Sequence, residues 1–156
     1  MTTDARGRQL SKSAAPSMPG AAAMMAAVAA APTPIGARNQ LIEKWIMETC
    51  ATCGHPELAG RLSYEISDAP FFNDHGGYAT TVWGEGGQVA SGVLQFSLVY
   101  WTLPRQLNAY RRNLVIHETC HVLANHVAGR DVQHEEPWRR LMHLCGQPPW
   151  TNVFTP

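Results

Sequence analysis

The chain has 156 residues, enough for one domain with a buried core and too few for two comfortable ones. Twelve Lys and Arg residues cancel twelve Asp and Glu, so no global field draws the protein toward nucleic acid or an acidic membrane. Four cysteines are too few and too irregular for a disulfide scaffold, and no apolar run is long enough to span a bilayer, which sets the expectation of a cytoplasmic chain with reduced thiols. Locally the balance is uneven. Arg105, Arg111, Arg112, Arg130, Arg139 and Arg140 outnumber the acids after residue 100, a weak basic bias whose simplest reading is a solvated helix face.

Residues 1–36 are rich in alanine, interrupted by Pro16, Pro19, Pro32 and Pro34, and without aromatic anchors, so they read as a disordered segment. A rival reading takes Arg6, Arg8 and Lys12 as the start of a secretory signal with an alanine core, which would make the protein secreted. From residue 37 the texture changes. Leu41, Ile42, Trp45, Ile46 and Cys50 recur at helical spacing, and Gly54 is a natural stop. Cys50 and Cys53 form one CxxC, but a zinc ribbon needs a second pair, and Cys120 and Cys145 lie far apart, so two partly buried thiols near a helix end are the expectation.

Three strand-like runs follow, RLSYEIS, YATTVWG and GVLQFSLVYW, separated by glycines, and they predict a small antiparallel sheet. Pro104 suits the first turn of a long helix that Gly129 would end. Along it Leu107, Tyr110, Leu114, His117 and His121 advance by three or four residues, one face of one helix. A last helix spans about Pro137 to Leu144, with Trp138, Leu141, Met142 and Cys145 inward, before a tail at 150–156. The fold class is therefore α+β, in one domain over residues 37–149 with an N-terminal helix, a sheet, a long helix and a C-terminal helix.

The stretch HETCHVLANHVAGRDVQH carries the chemistry. His117 and His121 are four apart, so both imidazoles can converge on one ion, and Glu118 is placed to reach a water beside it. This is the HExxH arrangement, in which two histidines hold zinc and the glutamate acts as general base. With this chain's composition, chance would produce the five-letter pattern roughly 2% of the time, so its surroundings matter. The motif lies on the inner face of a predicted helix, behind an apolar LVI, and a third histidine, His134, follows where the chain can fold back. The extended pattern HExxHxxGxxH fails at Ala124 and Val127. His126 is about 140° around the helix from His121 and cannot join the same ion. His134 is the best third ligand, with Glu135 and Glu136 as alternatives.

The run LVIHETCHVLANHVAGRDVQHEEPWRRLMHLCGQPP resembles the SprT-like zinc metalloproteases, the bacterial SprT proteins and the eukaryotic Spartan proteases among them. The likeness rests on His117, Glu118, His121, Gly129, Arg130, His134, Trp138, Met142 and Gly146, and extends more loosely over residues 37–149. It implies a zincin-like domain with one catalytic Zn²⁺ on His117, His121 and His134. Glu118 would be the general base, and a protein or peptide the substrate. Three neutral imidazoles leave a fourth position open, and zinc there would acidify a water and polarise a carbonyl. Tyr78, Tyr100, Arg130 and His126 are candidate oxyanion stabilisers; His55, His75 and His143 read as surface or loop histidines. Family members commonly carry glycine after the third histidine, where this chain has Glu135. No cysteine-rich ribbon or Spartan-type DNA-binding extension follows, so a repair role does not transfer with the fold. The alternative is a zinc-stabilised, non-catalytic binding or adaptor module, one that a fourth ligand such as Glu135 or Glu136 would close, with DNA association through Arg139 and Arg140 as a further variant.

Overall fold

In a computed structural model the described residues are 39–67, 76–101, 104 and 108–149, so the expectations for segment 1–36 and tail 150–156 lie outside them. The first helix, α1, is Gln40–Thr52. Asn39 caps it, its Oδ1 accepting from the amides of Leu41 and Ile42 at 3.0 and 3.1 Å, which satisfies two of the donors a helix start leaves open. At the other end Gly54 takes φ +82°, its amide donating to Ala51 O and that of His55 to Cys50 O, the paired bonds of a Schellman termination. Of the residues that the helical spacing marked, Ile42, Trp45, Ile46 and Cys50 are buried, whereas Leu41 is exposed.

A 3₁₀ stretch, Pro56–Arg61, leads into strand β1, Leu62–Ser67; β2 is Gly77–Trp83 and β3 is Val89–Ser97. The sheet order is β1-β3-β2, with β2 antiparallel to β3 and β1 parallel to it, from Leu62 opposite Gly92 to Ser67 opposite Ser97. The sheet is mixed, which corrects the all-antiparallel expectation. Alternation of apolar residues reports a half-buried strand whatever its partner's direction, and β1 skips its neighbour in sequence to pair with β3. The third run is also shorter than its sequence suggests. It leaves the sheet after Ser97, and Leu98–Trp101 forms a short helix, α2, because an unbroken apolar run does not distinguish strand from buried helix.

Helix α3, Asn108–Ala128, crosses the sheet and packs against α1, β2, β3 and the last helix, α4, Glu136–Leu144. Pro104 lies outside it and is exposed, and Leu107 falls outside the described residues. Tyr110, expected on the ligand face, is exposed at 36%. From Arg111 onward α3 is buried almost all round, with Leu114, Val115, Cys120, Val122, Leu123 and Ala124 at 0% exposure, so it is the centre of the molecule rather than an amphipathic surface helix. The helix approaches the sheet at Gly92, where an added Cβ would lie 2.7 Å from Leu62 Cδ2 and 2.9 Å from Val122 Cγ2. Gly92→Ala is therefore expected to destabilise by about 1–3 kcal/mol, the usual cost of overpacking; a thermal unfolding midpoint equal to wild type would contradict this close approach. Among the described residues no helix is long and apolar enough to cross a membrane.

Candidate metal centre

His117 and His121 project from consecutive turns of α3, and His134 enters from the loop that joins α3 to α4. His117 Nε2 lies 3.3 Å from His121 Nε2 and 3.2 Å from His134 Nε2, and the three ligand atoms all fall within 4.8 Å of one another. A tetrahedral zinc with Zn–N bonds of about 2.05 Å holds its nitrogens about 3.3 Å apart, so His117 already sits at ligand spacing from both other imidazoles. His117 is fully buried and the other two are half-buried, which leaves one side of the group toward solvent.

Burial, reinforced by the neighbouring imidazoles, holds His117 and His121 well below the usual histidine range, and burial with Arg139 nearby lowers His134 to about 4. All three are neutral at neutral pH, the form in which imidazole binds a metal. These shifts have a sign that can be measured in metal-stripped protein. Unfolded imidazoles take protons below about pH 6.5 while the folded ones resist, so the unfolded state binds more protons and stability falls as the pH drops from about 6.5 toward 4. The slope approaches about 1.4 kcal/mol per pH unit for each fully depressed histidine. Urea unfolding across this range checks it, and stability that stays level or rises on acidification would contradict it.

The loop that carries His134 is held from several sides. Val132 is buried and its amide donates to Asn125 Oδ1 at 2.9 Å, while Asn125 Nδ2 donates to Thr81 Oγ1 of β2 at 2.9 Å, so one side chain of α3 ties the loop to the sheet. Gln133 takes φ +51° and its amide donates to Asp131 Oδ1. Arg130 donates to both oxygens of Glu135, at 2.8 and 3.3 Å, and Arg139 Nε donates to His134 O at 3.1 Å. Glu135, the departure from the glycine of the SprT-like pattern, has φ −69° and ψ 179°, a conformation open to any residue, so the substitution carries no backbone strain. The positive φ of this loop falls on Gln133 instead.

Trp138 closes the site from below. It is fully buried, its ring stacks on His121 at 5.4 Å and meets His134 and His117 edge-on at 4.5 and 4.8 Å, and its Nε1 donates to His117 O at 3.2 Å. Its inward position was legible in the helical spacing; its contact with all three imidazoles was not. Glu118 is fully buried on α3 and stands outside the group of converging ligand atoms, as do Glu135, paired with Arg130, and Glu136, near Arg140. Among the described residues the group thus comprises three histidines and no carboxylate. Of the other candidates, Tyr78 is buried on β2, and Arg130 is engaged with Glu135. His126 lies with His55 and Glu57, a separate group, as its angle around the helix requires. The Tyr100 side chain and His75 lie outside the described residues, and His143 is exposed.

Compared with family models, with curated proteins and with solved structures, the chain matches none. What the centre can do therefore rests on its own residues. A neutral, preassembled, three-nitrogen group with one accessible side could hold a metal ion, and a buried carboxylate, Glu118, is the next residue after one of its histidines.

Proposed function

We propose that this chain is a zinc-dependent metallopeptidase with a zincin-like, SprT-like domain, in which His117, His121 and His134 hold one zinc and Glu118 is the general base. The observation that carries this reading is the convergence of the three Nε2 atoms, at 3.2–3.3 Å from His117, on the helix that also bears Glu118. A closed structural site would need a fourth protein ligand. The nearest glutamates outside the motif, Glu135 and Glu136, face Arg130 and Arg140 instead.

Zinc, when bound, supplies Lewis acidity toward a peptide carbonyl and lowers the pKa of water toward about 7. The chain's own residues supply the rest. Glu118 takes the proton of the attacking water and passes it to the departing amine nitrogen, so that one carboxylate serves as base and then as acid. The Trp138 ring and its bond to His117 O hold the helical pair in register with His134, whose position depends on Asn125 and Arg139. The test is cleavage of an unfolded protein by metal-stripped protein with and without added zinc. Cleavage that appears with zinc and disappears with a chelator is the expected result, and no cleavage at saturating zinc would overturn the peptidase reading.

A further inference from the structure

Cys53, Cys120 and Cys145 come from three different helices and meet behind the candidate catalytic helix. Their sulfurs all lie within 4.8 Å of one another, and Cys53 Sγ is 3.6 Å from Cys145 Sγ. Thiolates bound to one tetrahedral zinc at about 2.3 Å stand about 3.8 Å apart, whereas a disulfide would bring two of them to about 2.05 Å. Cys120 is on α3 between His117 and His121, and the other two arrive in the same way as each other. Cys53 is the C-cap of α1 and Cys145 the C-cap of α4. Each is followed by a glycine at positive φ, Gly54 at +82° and Gly146 at +68°, and each helix ends with the same pair of bonds, those of α4 running from Gly146 to His143 O and from Gln147 to Met142 O. Two Schellman terminations therefore present two thiols toward a third.

We infer that Cys53, Cys120 and Cys145 form a second metal site, a tripod of thiolates for a zinc ion distinct from the three-histidine centre. Binding converts three thiols to thiolates, releases three protons and leaves a zinc–thiolate group of charge −1. A cleft lined by Glu48, Thr49, Thr52 and Arg112 is bordered by Cys145, so one edge of the cluster adjoins a surface cleft. The ion would staple the ends of α1 and α4 to the middle of α3, fixing from behind the helix that carries His117 and His121.

Titration of the reduced, metal-stripped full chain with cobalt(II) tests this directly, because thiolate-bound cobalt absorbs intensely in the near ultraviolet and imidazole-bound cobalt does not. The expected result is such a band, complete by two equivalents in wild type and by one in His134→Ala, and lost in Cys145→Ser and in Cys53→Ser, with circular dichroism checking that these half-buried substitutions leave the fold intact. Added zinc should displace the cobalt and protect the three thiols from alkylation. Absence of the band in folded wild-type protein would overturn the proposal. So would a band that persists in both serine variants, or protein purified without reductant whose mass and peptide map reveal a Cys53–Cys145 disulfide that forms in preference to zinc binding.

Discussion

Glu118→Gln is expected to abolish peptide hydrolysis while zinc stays bound at the three histidines. Glutamine keeps the volume of a fully buried side chain on α3, but the amide cannot take a proton from water. Loss of a positioned general base costs roughly 10²–10⁴-fold in rate. Steady-state cleavage of an unfolded protein, with zinc content measured on the same preparation, separates the outcomes. Cleavage within a few-fold of wild type would remove Glu118 from the base role. Loss of the histidine-bound zinc along with activity would make the carboxylate a ligand, against its position outside the converging group.

Trp138→Ala is expected to have the largest effect on stability. The ring is fully buried, lies against all three imidazoles and donates its Nε1–H to the backbone carbonyl of His117, a residue of the metal-binding group. Truncating a buried tryptophan costs about 3–5 kcal/mol, and loss of a group that orients metal ligands lowers affinity by about 10–100-fold. Trp138→Phe helps to separate the two contributions, since it keeps a buried aromatic ring, though a smaller one, while removing the N–H. We expect it to recover most of the stability in urea unfolding of the metal-stripped protein but not the full affinity in competition with a zinc chelator. An alanine variant as stable as wild type would mean that the ring is not the floor of the site.

Helical elements were legible because their signals are local. Gly54, Gly129 and Gly146 mark ends by their own conformational needs, and the buried faces of α1 and α4 follow from residues three and four apart. The histidine pair on α3 was legible for the same reason, and His134 because the loop after Gly129 has few residues in which to return. Relations between distant segments were less so. Strand direction depends on which edge β1 finds, and its alternation is the same beside either neighbour, so the parallel pairing with β3 left no mark in the sequence. The thiol cluster was hidden because it does not use the CxxC that draws the eye. Cys53 turns from Cys50 toward Cys145 and Cys120, which are 92 and 67 positions away. Asn125 gave no signal either, although a buried asparagine inside a helix must find partners, and it finds them in the loop and in Thr81.

The most direct test of the central claim is metal analysis of the purified full chain, wild type beside His134→Ala. The account predicts that the variant folds and contains one zinc per chain fewer than wild type, whatever the thiol cluster holds, because His134 is the third nitrogen of a centre whose other two cannot retain the ion alone. Equal zinc in the two proteins would contradict it and would place the third ligand elsewhere.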